Sequence, residues 1–302
     1  MDTLLQDVRY ALRALRRSPG FALVAVLTLA LGIGANTAIF GVVNAVLLRP
    51  LPYPEPDALV RLMSREDGEL GSNMTPPDFL DVEAHGRVFA GVAAYATGSP
   101  TLAGEGEPVP LRSASTSAGF FRTLGVSPML GRGFRPEDNR PGSNRVVVLG
   151  HALWRQHFGG DRGLLGRQVL LNGREHTVVG VMPPGFDYPA GREAWTPLSY
   201  EERLVGPESR FNYMLQVVAR TRPGTSPERL RDDLAAVTAR IRESDPRKAP
   251  MSVAAVPLRE DLLGDVRTPL LVLLGAVGLV LLVACANVAN LLLARAAARE
   301  GE

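Results

Sequence analysis

The chain has 302 residues, with 33 Lys+Arg against 31 Asp+Glu. The formal net charge of +2 is too small to mark a nucleic-acid-binding surface. A single cysteine, Cys285, excludes a disulfide framework, and the only lysine, Lys248, is read as a trace of genomic base composition. The mean hydropathy of +0.06 averages two very apolar stretches with a polar, mixed middle.

Residues 1–20 form a leader. Leu4, Leu5, Val8, Ala11, Leu12 and Leu15 fall at helical spacing on one face, with Asp7, Arg9, Arg13, Arg16 and Arg17 opposite. This is a basic amphipathic helix suited to a headgroup region, broken by Ser18-Pro19-Gly20. The run that follows, residues 21–48, has no Asp, Glu, Lys or Arg. As a helix it would span roughly 42 Å, enough to cross a bilayer core about 30 Å thick. Its apolar core is also too long for a signal peptide. Four arginines precede it and only Arg49 follows closely, so the N-terminus is placed in the cytoplasm.

Within this span small residues recur every four positions (Ala30, Gly34, Ala38; Gly41, Ala45). Asn36, Thr37 and Asn44 add polar groups. Such faces suit helix–helix packing. Gly34, Asn36, Ala38, Gly41 and Asn44 are therefore candidate packing residues, joined from the second span by Asn287 and Asn290.

Residues 49–268 read as an outer domain. Strands are expected at Ala58–Met63, Gly91–Ala96, Pro108–Ala114, Arg145–Leu149, Gln168–Leu171, Glu175–Val181, Phe211–Arg220 and Met251–Val256. Thr75 and Ser226 are N-caps of helices running to His85 and Glu243. Ser117–Leu124 and Ala152–Phe158 read as short helices, and Asn172-Gly173 as a two-residue hairpin turn. Leu258–Val266 leads into a second span, 269–294, and 295–302 begins a cytoplasmic segment. Two spans leave the middle outside the cytoplasm. The fold class is α+β: two membrane helices flanking a mixed α/β domain. Residues 50–100 and 205–258 are expected to form one α/β unit, with 101–204 as a β-rich insert.

The chain has no phosphate-binding P-loop, no G-x-S-x-G and no H-E-x-x-H. His85, His151, His157 and His176 are dispersed, Glu137-Asp138-Asn139 reads as a polar turn, and Asp232 and Asp233 point to different faces of their helix. No catalytic, metal or cofactor-binding residue is assigned, and the chain is read as not an enzyme.

The leader RYALRALRRSPGF, the span LTLALGIGANTAIFGVVNAVLLRPLPYP and the end LLVACANVANLLLARAAARE resemble MacB/FtsX-type ABC transporter permeases. More narrowly, they look like acidobacterial duplicated orphan permeases. The stretch from Gly125 to Phe186 resembles that family's periplasmic core domain. The resemblance implies a multi-pass protein of the bacterial inner membrane with a periplasmic domain, porter-like with a β-rich insert. It implies a cytoplasmic ABC ATPase partner that binds the ATP, a second permease module or homodimer partner, membrane lipid around the spans and no nucleic acid. It also implies four spans per module, so a chain reaching Glu302 is expected to be an N-terminal fragment that binds its ATPase weakly at best. The alternative is a two-span extracytoplasmic sensor fragment. A tethered enzyme is disfavoured by the missing nucleophile or metal set.

Overall fold

The structure is a computed structural model that describes residues 19–44, 47, 49–71, 73–103 and 107–300. The expected leader helix lies outside the described residues; Pro19 and Gly20, expected to break it, are the first residues of a long helix, Pro19–Val43. The chain divides into two compact units: Leu51–Asp261, and the two end segments around it.

In the end segments, helix α1 covers Pro19–Val43 and opens on a proline, whose missing N–H and fixed φ suit the first helical turn. Its α-helical part stops short of the expected Leu48. Asn44 and Leu47 are π-helical, and the Arg49 amide donates to the Asn44 carbonyl at 3.0 Å, a five-residue step.

In the outer domain, a 3-10 turn at Pro56–Ala58 leads into β1, Leu59–Glu66. Asp67 and Gly68, both at positive φ, turn β1 back into the short β2, Glu69–Leu70. Helix α2, Pro76–His85, starts where Thr75 Oγ1 accepts the Asp78 amide, with prolines at its first two positions. Then follow β3 (Phe89–Gly98), β4 (Thr101–Ala103), β5 (Val109–Pro110) and β6 (Ser113–Thr116). The short helix α3, Phe120–Leu124, ends on Gly125 at φ 73. It starts later than expected: the Ser117 amide and hydroxyl pair with the Ala94 carbonyl and amide, and the Ser117 carbonyl accepts the Phe120 amide at 3.1 Å in the turn before the helix. Next come β7 (Leu130–Gly131), β8 (Val146–Leu149) and helix α4 (His151–His157).

Strands β9, Gln168–Leu171, and β10, Arg174–Val181, form the expected hairpin. Asn172 and Gly173 at its tip have φ of 51° and 72°, the pair of positive values a type I′ turn needs. After β11 (Ala194–Pro197) and helix α5 (Glu202–Val205) the chain departs from expectation. Pro207–Phe211 is a 3-10 turn, and β12 begins only at Gln216, running to Thr221. The start of the expected strand is lost because Arg210 turns inward to two aspartates. Helix α6, Pro227–Ser244, is capped by Ser226 as expected. Strand β13, Met251–Pro257, passes directly into α7, Leu258–Glu300, with Pro269 inside the helix. Leu258–Val266 is thus the first part of the second long helix.

The thirteen strands form one sheet in the order β13-β1-β12-β3-β6-β11-β8-β10-β9-β4-β5, with β2 on β1 and β7 on β10. The β6–β11 and β8–β10 pairs are parallel. Leu59, Val60, Arg61 and Leu62 are all buried, so β1 is covered on both faces. On one face α2 and α6 supply Phe79, Val82, Leu234, Val237 and Ile241 against Val60, Leu62, Val217 and Ala219. On the other lies an aromatic cluster of Tyr53, Tyr95, Phe120, Phe121, Tyr188 and Trp195, which also holds Leu258. A third cluster, around Val147, Leu149, Trp154 and Leu171, fills the far end of the sheet.

Side chains of α6 complete main-chain pairing that the sheet leaves open. The edge strand β13 donates Val253 N–H to Thr238 Oγ1 at 3.1 Å and receives Arg242 Nε on its Met251 carbonyl at 2.8 Å. Such cover blunts an edge that would otherwise template another strand. Asp233 accepts the Arg87 amide at 2.9 Å and so fastens α6 to the turn after α2.

Burial pushes the phenols of Tyr53, Tyr95, Tyr188 and Tyr200 above their ordinary value. For a group whose folded pKa is raised, the stability it contributes is complete below the unfolded pKa, about 10, and is lost as pH rises through the folded value. Phenolate absorbance of these tyrosines is therefore expected to stay flat past pH ~10.5 and to rise together with unfolding. A smooth titration near pH ~10 with the fold intact would contradict that burial.

Candidate functional site

In the end segments α1 and α7 pack against each other. Gly32 is buried, and a side chain there would meet Leu281 Cδ1 at 3.1 Å and Ala284 Cβ at 3.5 Å. One turn on, Asn36 Nδ2 donates to its own helix at the Gly32 carbonyl and across to the Val277 carbonyl, both at 3.0 Å. Small residues let the backbones approach, and the carboxamide finds its partner on the neighbouring helix. Thr28 and Thr37 return their hydroxyls to the carbonyls four residues back.

The other candidate packing residues are placed as follows. Gly34 and Gly41 have open space where a side chain would stand, and Ala38 is exposed. The Asn44 carbonyl accepts the Arg49 amide. Asn287 and Asn290, both exposed, line a shallow groove of about 380 Å³ with Val24, Thr28 and Val288. Cys285 is exposed. Gly32 was missed in the sequence although the signal was present, since Thr28, Gly32 and Asn36 also repeat every four residues.

The outer domain holds three charged centres that sequence reasoning did not single out. In the first, Lys248 and Asp78 are each only 1% exposed, with Nζ 2.9 Å from Oδ2. Lys248 also donates to the Tyr213 hydroxyl at 3.0 Å and lies 4.6 Å from that ring's centroid. Arg210 Nη1 joins Asp78 and Asp81, each at 2.9 Å. Two cations and two anions thereby tie α2 to the turns at Pro207–Phe211 and Pro246–Lys248.

In the second centre, buried Arg61 pairs with Asp261 at 3.7 Å and lies over the Tyr95 ring at 5.7 Å. The third is Arg220, whose guanidinium donates to four main-chain carbonyls: Thr123 at 2.8 Å, Leu124 at 3.2 Å, Pro54 at 2.8 Å and Glu55 at 3.2 Å. A faint signal existed for Arg61 and Arg220, since each is a charge set within an apolar strand.

Among the described residues, chemistry-bearing side chains do not converge elsewhere. Asp138 is held by Arg132 at 2.6 Å and by the Arg135 amide at 2.8 Å, closing a polar turn. His85 and His176 face nearby carbonyls, while His151 and His157 lie against Trp154 and Phe158. Among the described residues there is no group of three or more His, Cys, Asp or Glu placed to hold a metal. Two features stand out: the end segments hold two apolar helices, Val26–Val43 and Val266–Asn290, long enough to cross a membrane, and the outer domain has buried charges that fasten its own segments.

Comparison with known proteins agrees with this organisation. The family described as MacB-like periplasmic core domain matches residues 22–237. A permease-protein domain from Porphyromonas gingivalis superposes with a TM-score of 0.54 at 18% identity, over 68% of this chain and 92% of that one. The extracellular domain of the ABC-type transporter YknZ from Gram-positive bacteria gives 0.48 at 18%, over 65% and 99%. The periplasmic region of MacB from Actinobacillus actinomycetemcomitans gives 0.49 at 16%, over 65% and 88%. The likeness to the first of these, at 18% identity, is one of fold alone. No curated protein matches the chain.

Proposed function

The chain belongs to the MacB-like periplasmic core domain family, and on that premise we propose that it transmits ATP-driven motion from membrane helices to an outer domain. It is a membrane protein whose extracytoplasmic domain lies between two apolar helices, and it is a component of an ABC-type permease. In the proposed cycle a separate cytoplasmic ABC ATPase binds the nucleotide, and a second permease module or a second copy completes the assembly. The helices shift and the outer domain follows, to export or extract a substrate on the far side.

The observation that carries this reading is the placement of the family match, which begins inside α1 and runs through the outer domain to α6. We further read the sheet as two working halves. The strands β13, β1, β2, β12 and β3 come from residues 59–98 and 216–257, and the rest come from 101–197. Motion would reach the first half before the second.

The test begins with topology. In a Cys285→Ala background, a cysteine at Gly142 is expected to react with an impermeant maleimide in intact cells, and one at Asp2 only after permeabilisation. The second arm purifies the tagged protein from its native membrane. Because the contact is expected to be weak, an ABC ATPase is expected to accompany it after cross-linking in the membrane, and trapping that ATPase with a non-hydrolysable nucleotide should change the labelling rate at Gly142. Reaction at Asp2 but not Gly142 would overturn the topology, and a labelling rate indifferent to nucleotide would overturn the coupling.

A further inference from the structure

The register of β1 and β12 sets Arg61 opposite Val218 and Arg220 opposite Leu59. Side chains alternate along a strand, so both arginines project from the face that carries Leu59, Val218 and the aromatic cluster. They hold different things. Arg220 reaches the carbonyls of Pro54 and Glu55, in the segment that follows α1 in sequence, and joins them to the last carbonyls of α3. A planar guanidinium with five N–H groups can serve both sets at once, which a point-like ammonium cannot. Arg61 holds Asp261, in the first turn of α7. Three residues earlier on that helix, Leu258 is fully buried in the same cluster.

We infer that Arg61 and Arg220 are paired clamps that fix the chain's entry into the outer domain, residues 51–58, and its exit, residues 258–261, to adjacent strands of the sheet. Tension applied to the chain at either end then enters the β1–β12 pair, just inside the edge strand β13 and covered on both faces, instead of peeling off the segment nearest the end. The mechanical role rests on the function proposed above, but the clamps do not, and they are tested without nucleotide, ATPase or transport.

Hydrogen exchange of the full chain in nanodiscs is the first measurement. Arg220→Met is expected to speed exchange of the Ala58 and Leu59 amides and of Gly125 and Val126 by on the order of tenfold or more. The ladder amides of β3 and β12 should stay protected. Asp261→Asn should open the first turn of α7 in the same local manner. Arg220→Lys keeps the charge and the alkyl stem, so the sheet folds, yet it should still release residues 54–58. Unchanged protection in both Arg220 variants, or uniform loss across the sheet, would overturn the inference.

The second measurement pulls the Cys285→Ala protein between cysteines placed at Pro50 and Leu262. In the parent protein the domain should yield in one step. With Arg220→Met, a release of roughly 25 Å, the length of the freed entry segment, should precede it at lower force. Handles at Gly142 and Asn172 should show no such change. An early release absent from the variant, or present equally along both axes, would reject the clamp.

Discussion

Replacing Lys248 with methionine is expected to destabilise the outer domain by ~3–5 kcal/mol, which lowers its melting temperature by ~6–20 °C. The magnitude follows from what remains. Asp78 is 1% exposed and has Lys248 on one carboxylate oxygen and Arg210 on the other. Methionine fills a similar volume but leaves one oxygen of a buried carboxylate facing apolar atoms and the Tyr213 hydroxyl. Removing one partner of a buried pair costs more than the pair contributes, because the other charge stays desolvated. Lys248→Met combined with Asp78→Asn is therefore expected to be milder than the sum of the two single changes, by more than ~1 kcal/mol. Thermal or urea denaturation of all three variants measures this. A shift below ~2 °C for Lys248→Met would show that the charge is not desolvated as the geometry demands. In the folded protein the same amine should also resist an amine-reactive ester until urea opens the domain.

Substituting Trp195 with alanine should cost ~3–5 kcal/mol, through lost transfer energy and the cavity left behind. Trp195 is fully buried on β11, the strand paired with β6 on one side and β8 on the other. Its ring meets Phe186 at 5.2 Å and Phe121 at 6.0 Å, and its indole N–H donates to the Tyr188 carbonyl at 3.1 Å. Truncation empties the centre of the aromatic cluster, one strand away from the β3–β6 pair that joins the two parts of the sequence. Trp195→Phe keeps most of the ring but leaves that carbonyl without its donor, a loss of about 1 kcal/mol. The ordering alanine worse than phenylalanine, read from denaturation midpoints, is the expected result. Equal midpoints would mean that the cluster collapses around the gap.

Much of the local structure was legible in the sequence because its causes are local. Thr75 and Ser226 each stand before a proline and three residues before the amide they cap, and both cap as expected. Asn172-Gly173 makes its hairpin because only such residues tolerate two successive positive φ values. The two membrane helices follow from runs without charge long enough to span a bilayer. Where an expected element failed, a distant partner had intervened, as at residues 211–215, where Arg210 is drawn to Asp78 and Asp81 from 132 and 129 residues away.

The candidate sites were less legible for the same reason. Small residues repeat every four positions on more than one face of α1, so composition alone does not choose between Gly32 and Gly34. The choice depends on which face meets Leu281 and Ala284 on a helix some 250 residues later. Lys248 looked like an accident of base composition, yet its ammonium is enclosed by Asp78, Tyr213 and Phe211. Arg61 and Arg220 are ordinary arginines in sequence and become clamps only when the β1–β12 register puts them on one face. The sequence by itself determined the capped helix starts, the hairpin turn, the spans and the side of the membrane, which are set by neighbours a few residues apart or by transfer into lipid. Tertiary structure alone decided which charges were buried and with whom, because a buried charge is tolerable only beside a partner that folding brings from far along the chain.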